Sequence, residues 1–348
     1  MLDTLLRDID ATEINAFARA VQTPADFALT LSVMPEKTIN SVKFRIKSTS
    51  RRVNAAKYRA WDAQTAVATR EAKRIVTEGM LPPLGQKYLV GELEQILLDT
   101  SRGADSSELV ELLYQDVAAH VQSIKSRLEL AVGDLLTDGK FTLAGENGLT
   151  VEYDAGVPSA NMPTAATAWT DPTADALKDE MTWIEVLRAS GAPLPSRVVT
   201  SYKARALLAG NNAYRQAFYG TSASNIPTGV LAPNEVDAVR ARYNLPPITV
   251  YDVQIPKDDG TMARPLPDNK WLMLPPNPQT WGETQYGVTA ESLVLSSGGN
   301  PAIAREEAPG IVVTHGYTDD PVTVWTKGAA VAMPVLYVPD IHISASVF

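Results

Sequence analysis

Residues 105–139, DSSELVELLYQDVAAHVQSIKSRLELAVGDLLTDG, constrain the fold more than any other stretch of the chain. Leu109, Leu113, Val117, Val121, Ile124, Leu128, Val132 and Leu135 recur in steps of four and three, which is one face of an α-helix. Asp105 followed by Glu108 is an N-terminal capping signature, and Gly139 marks the far end. Some thirty residues at ~1.5 Å each make a helix of roughly 45 Å. The stripe drifts at 3.6 residues per turn and lacks the charge pairs of a strict heptad, so it reads as a core helix rather than a coiled-coil strand.

A chain of 348 residues can bury a sizeable core and is expected to form two subdomains. Hydrophobic residues at 45 % and charged residues at 20 % suit a folded soluble protein. No run of eighteen apolar residues occurs, so no membrane span is expected. The start, MLDTLLRDIDATEINAF, carries acids inside its apolar stretch and lacks a signal-peptide pattern, which predicts a cytosolic protein. With no cysteine, disulfides, thiolate metal sites and thiol nucleophiles are excluded.

The net charge of −9 hides an asymmetry. Ser41 to Val76 holds ten Lys or Arg against Asp62 and Glu71, a net +8 that leaves −17 for the remainder. Glu92 to Asp154 holds thirteen acids against four bases. A basic arm thus precedes an acidic body. Three readings of the arm stand side by side. It docks electrostatically on an acidic neighbour, it is a solvated face, or it binds nucleic acid. Only Phe44, Tyr58 and Trp61 interleave with its charges, and the negative whole argues against a general nucleic-acid binder.

Along the chain, Ile9 to Val21 predicts a short amphipathic helix, followed by an extended piece around Pro24 and Pro35. SVKFRIKS alternates Val42, Phe44 and Ile46 against Lys43, Arg45 and Lys47, a strand with one charged face. The stretch to about Val90 has few large apolar residues and cannot make a core of its own. GKFTLAGENGLTVEYDAG predicts a β-hairpin, and VPSANMPTAATAW a linker. Short helices and strands then alternate over about 171–285, suggesting an α+β subdomain that includes a hairpin in DDGTMARPLPDNKWLMLPP. Gly310 to Phe348 reads as nearly all strand, broken into pieces at Pro321, Pro334 and Pro339.

The common nucleotide-binding, zinc-protease and serine-hydrolase motifs are absent. His120, His315 and His342 are scattered, and a structural role is expected for each. Asp319-Asp320-Pro321 reads as a turn rather than a metal site, and the small-residue loop after Gly220 lacks the lysine of a phosphate cradle. No catalytic, cofactor-binding or metal residue is assigned, and the protein is expected not to be an enzyme.

Three phrases do carry a resemblance. LLTDGKFTLAGENGLTVEYDAG after the long helix, LPDNKWLMLP, and the ending DDPVTVWTKGAAVAMPVLYVPDIHISASVF resemble, in that order, the major capsid proteins of phage lambda and its relatives. The resemblance implies the α+β, HK97-like fold of tailed-phage capsid proteins. Its parts would be an N-terminal arm over 1–40, an extended basic loop over 41–90 and a peripheral domain over 91–170. The peripheral domain would hold a spine helix at 105–136 and a hairpin at 140–153. An axial domain would span 171–285, and 286–348 would return as strands to the peripheral sheet beside that hairpin.

The implied function is structural: self-assembly into an icosahedral shell that encloses double-stranded DNA without sequence-specific binding. The implied partners are copies of the same chain in pentamers and hexamers, together with scaffold, portal and decoration proteins. No cofactor and no membrane are involved, and the location is the virion, assembled in the host bacterial cytoplasm. An extended loop of about fifty residues, folded as two strands at ~3.3 Å per residue, would reach on the order of 60–80 Å. It would gain stability by lying across a neighbour, with Lys43, Arg45, Lys47, Arg51, Arg52, Lys57 and Arg59 as the inter-subunit contacts. The rival readings are an encapsulin-like compartment that packages enzymes, an oligomeric enzyme without recognisable motifs, and a nucleic-acid-associated protein.

Overall fold

The computed structural model describes residues 11–48, 75–92, 107–146, 148–220, 229–257, 259–297 and 310–348. Helix α1 spans Ala11–Ala20, and a π-helical turn follows at Leu29–Val33. Strands β1 (Glu36–Thr38), β2 (Lys43–Ser48), β3 (Ile75–Met80) and β4 (Pro83–Val90) come next. The long helix α2 runs Ser107–Asp138 and ends at Gly139, whose φ of 78° is left-handed. Strands β5 (Lys140–Glu146) and β6 (Leu149–Asp154) pair as the expected hairpin.

The second region holds α3 (Ala176–Ser190), β7 (Arg197–Thr200), α4 (Tyr202–Gly210), α5 (Asn212–Tyr219), α6 (Pro233–Arg242), β8 (Ile248–Val250), β9 (Ile255–Pro256), β10 (Met262–Ala263) and β11 (Lys270–Leu274). A short helix α7 (Pro278–Trp281), strand β12 (Gly282–Tyr286) and helix α8 (Ala290–Ser297) lead to β13 (Ile311–Asp319), β14 (Val322–Leu336) and β15 (Ile343–Ser346).

Two sheets organise these elements. In the first, β14 pairs with β13 along one edge. Farther along that same edge it pairs with β12 from Ala332, to which β1 adds in parallel, and the other edge is held by β4 up to Val331. The second sheet has the order β15-β11-β7-β8. Helix α2 lies against the first sheet, where Gly328 makes room for it: a Cβ at 328 would come 2.7 Å from the His120 Cβ. Helix α1 covers the same region, with Ile14 and Ala18 buried among Val117, Val121 and Ile124 of α2.

The second sheet is covered by α3 to α6, with Trp169, Trp183 and Trp271 in their shared core. Its other face, through Val199, Leu272 and Leu274, meets Leu135 and Leu136 at the end of α2. Helix α3 is capped at both ends. The Asp175 side chain accepts from the Lys178 N–H at 3.1 Å, and Gly191 closes the helix at φ 75°. Inside this body Glu180, Tyr214 and Arg240 are buried together and tie α3, α5 and α6.

Three expectations are corrected here. The last strand does not lie beside the 140–153 hairpin. Strand β15 pairs antiparallel with β11, and its far edge is lined by the supposed linker, with Ala165 N–H donating to the Ser346 carbonyl at 2.8 Å. The reason is burial on both faces: Ile343 and Ala345 sit in the helix-covered core, while Ser344 Oγ donates to the Thr137 carbonyl at the end of α2. The hairpin expected within 258–276 is shifted upstream, pairing β9 with β10, and β11 is instead a central strand between β15 and β7.

Finally, β14 is not broken at Pro334. Thr284 donates its N–H away from β14, to the Pro35 carbonyl at 3.0 Å, so Thr284 and Pro334 form a non-hydrogen-bonded pair. The proline nitrogen therefore points away from β12 to the β4 edge, where β4 has ended at Pro83 opposite Val331, so no ladder bond is lost.

Candidate assembly surface and family

The base of the basic arm is a two-stranded ribbon. Strand β2 pairs antiparallel with β3, from Lys43 opposite Met80 to Ser48 opposite Ile75. The alternation read from SVKFRIKS holds: Phe44 and Ile46 are buried, Lys43 and Arg45 exposed. Phe44 stacks edge-on against Tyr153 of the β5–β6 hairpin, with ring centroids 5.3 Å apart. It also sits opposite Gly79, where a Cβ would come 2.5 Å from its ring, so the glycine is what lets the ring cross the partner strand. Leu81 joins Phe44 and Ile46 in the core that includes Val331.

The apolar face is thus an anchor in the chain's own body, and the charged face is left to solvent. Arg45 Nε pairs with Glu78 at 2.8 Å, both side chains more than half exposed, and such a pair contributes little to stability. Lys47 lies within β2. Arg51, Arg52, Lys57 and Arg59 lie outside the described residues. Glu78 was not foreseen as a partner, although its place opposite Arg45 follows once the ribbon register is set. Strand β4, expected within the extended loop, pairs with β14 in the first sheet.

Two of the three histidines do structural work; the third, His315, is a half-buried residue of β13 opposite Thr326. His120 is buried between α2 and the first sheet, its Nε2 3.0 Å from Thr326 Oγ1 and its ring stacked on Tyr88 at 4.5 Å. Burial pushes its pKa down, against the opposing pull of Asp116. His342 is fully buried and its Nδ1 accepts from Trp281 Nε1 at 3.3 Å. Burial lowers its pKa to about 4, so the ring is neutral near pH 7. Among the described residues no group of three or more His, Asp or Glu is arranged to hold a metal ion. Among them, too, no helix is long and apolar enough to cross a membrane. What the described surface offers is contact area and charge.

The order of parts, from the basic ribbon through the long helix on a sheet to a helix-covered second body, coincides with a family-wide match. The family of phage major capsid protein E matches residues 10–347. The chain belongs to that family. A prophage protein of Escherichia coli CFT073, described as its capsid protein, superposes with a TM-score of 0.62 at 13 % identity, covering 98 % of this chain and 99 % of the other. A phage-related protein of Bordetella bronchiseptica RB50 superposes with a TM-score of 0.59 at 12 % identity, over 96 % of each chain. No curated protein matches the sequence.

At such identities the structures speak for the fold, and the fold is that of the HK97-like phage capsid proteins. The family supplies the function: this is a phage major capsid protein, a structural component that assembles with copies of itself into the shell of the virion.

Proposed function

We propose that the shell is icosahedral, built from pentamers and hexamers, and that it encloses double-stranded DNA without reading its sequence. The arm of each subunit lies across its neighbour, with Lys43, Arg45, Lys47, Arg51, Arg52, Lys57 and Arg59 forming the inter-subunit contact. The observation that carries this reading is the divided ribbon. Its apolar face is spent on the subunit's own body while its basic face stays open. Between Ser48 and Ile75 the chain adds seven more Lys or Arg. As two strands at ~3.3 Å per residue, that excursion would extend roughly 40 Å past the ribbon, far enough to cross a neighbouring body.

The acidic remainder of −17 gives the arm a complementary surface on every copy. Charge steers and sets register, while apolar burial provides most of the association free energy. Repetition of one contact around closed rings then multiplies a modest affinity. The same net negative charge keeps the wall from adhering to enclosed DNA. The subunit works by assembly rather than turnover, in the host cytoplasm, with scaffold, portal and decoration proteins as further partners.

Negative-stain microscopy of the overexpressed protein tests the reading. Closed shells of uniform diameter, resolving into five- and six-membered capsomers, are expected. Small discrete oligomers under every condition of salt, concentration and crowding would refute it.

A further inference from the structure

The N-terminal segment threads between the two sheet bodies, and one buried carboxylate holds it there. Glu129, in the middle of α2, is fully buried. Its Oε1 accepts from the Leu29 N–H at 3.0 Å and from the Tyr251 O–H at 2.7 Å. Its Oε2 accepts from the Thr30 N–H at 2.8 Å and the Thr30 hydroxyl at 2.7 Å. At the other end of the π-helical turn, Arg197 of β7 donates from Nη1 to Ser32 Oγ at 3.1 Å and from Nη2 to the Ser32 carbonyl. A carboxylate thus meets the turn's free N–H groups and a guanidinium its free carbonyl, the signs that a helical turn's dipole favours. These grips come from different bodies: Glu129 from the helix on the first sheet, Tyr251 and Arg197 from the second.

Between the grips, Leu29, Val33 and Met34 are buried among Leu135 and Leu136 of α2, Leu272 and Leu274 of β11, and Leu336 of β14. The segment is therefore part of the apolar layer that joins the bodies. Farther on, the Thr284 hydroxyl donates to the Met34 carbonyl at 2.9 Å. Were the segment to leave, Glu129 would keep one donor of four in a dry interior, and leaving a buried charge without partners is strongly unfavourable.

We propose that Leu29–Val33 is an interdomain wedge, clasped by Glu129 and Arg197, whose docking and the relative orientation of the two bodies form one coupled equilibrium. Coupling of this kind is reciprocal: loosening the wedge loosens the orientation, and loosening the second body's grip loosens the wedge.

The absence of cysteine makes a direct test clean. Cysteines introduced at Leu89 of β4 and Leu194, both exposed, carry spin labels on free subunits of the full chain, one on each body. The parent is expected to give one narrow inter-label distance distribution, and Glu129→Gln a broadened or shifted one. In the same variant the Leu29 and Thr30 amides are expected to exchange at least about tenfold faster. Tyr251→Phe, which leaves the wedge and Glu129 intact, is expected to raise exchange at those two amides as well. It carries the test should Glu129→Gln not fold. Faster exchange with an unchanged distance distribution would show a wedge independent of orientation, and unchanged exchange would show that Glu129 is no clasp. Either result overturns the proposal.

Discussion

Gly133 of α2 and Pro265 of the second body touch backbone to backbone: a Cβ at 133 would lie 2.1 Å from the Pro265 carbonyl oxygen. A glycine inside a helix ordinarily costs about 1 kcal/mol relative to alanine, so Gly133→Ala in isolation would stabilise. Here the obstacle is backbone, which cannot rotate away, and overpacking of this kind costs about 1–3 kcal/mol. Gly133→Ala is expected to lower the urea midpoint. Gly210→Ala, at the end of α4 where no atom lies within 4 Å, is expected to hold or raise it. The two substitutions should differ in sign.

The Arg240 guanidinium holds Glu180 in a two-pronged pair, Nη1 to Oε1 at 2.8 Å and Nη2 to Oε2 at 3.0 Å. The Tyr214 hydroxyl donates to the same Oε1 at 2.7 Å, and Arg240 Nη2 also donates to the Pro246 carbonyl at 2.7 Å. Breaking such a pair from one side strands a buried charge. Arg240→Ala is expected to destabilise by about 3–5 kcal/mol, and Tyr214→Phe by about 1 kcal/mol. Arg240→Lys should fall between them, since an ammonium cannot reproduce the fork. Chemical denaturation of the free subunit orders the three.

The elements legible in the sequence were those whose burial is one-sided and periodic. Helix α2 announced itself through the stripe from Leu109 to Leu135. Lys43 to Ser48 showed strict alternation and is a ribbon strand with one buried face. What stayed hidden depends on contacts between distant segments. Leu29, Val33 and Met34 follow no period, because they fill a gap between bodies rather than one face of an element. Glu129 did not stand out in the sequence, because the partners that make it a buried clasp lie about a hundred residues away. The pairing of β15 was not legible from its own residues, because the strand is buried on both faces, Ser344 and His342 included, and its partner β11 lies about seventy residues upstream. Helix α5 went unread for a similar reason: its largest inward side chain, Tyr214, is satisfied by Glu180 rather than by an apolar stripe.

Stability should fall with acid, in part through His342. Its folded pKa of about 4 lies below the ordinary histidine value of 6.5, so the unfolded chain binds the proton more readily between those values. The contribution is complete above about pH 6.5 and is lost as pH falls towards 4, up to roughly 3 kcal/mol at about 1.4 kcal/mol per pH unit. Burial shifts His120 in the same direction. His342→Gln keeps an acceptor for Trp281 but does not titrate. Its stability is expected to decline less steeply than the parent's between pH 6.5 and 4.5, measured by urea denaturation at each pH. Parallel curves for the two proteins would show that the ring is not held neutral by burial.

The ribbon separates anchoring from docking, and two variants divide them. Lys43→Glu with Arg45→Glu reverses the exposed face while leaving Phe44 and Ile46 in place. Subunit stability should move by less than about 0.5 kcal/mol, because exposed charges interact weakly through water. The yield of closed shells should nevertheless drop, since the reversed face now meets an acidic neighbour, and added salt should recover part of it by screening the repulsion. Phe44→Ala removes the ring from Tyr153 and Gly79 and should cost about 3–5 kcal/mol at the arm's base. It should also lower shell yield, but through a detached ribbon, seen as new protease cleavage near β2 and β3 that the charge variant does not show and that salt does not reverse. Normal shell yield from the charge-reversed protein would mean that Lys43 and Arg45 face solvent in the assembled wall.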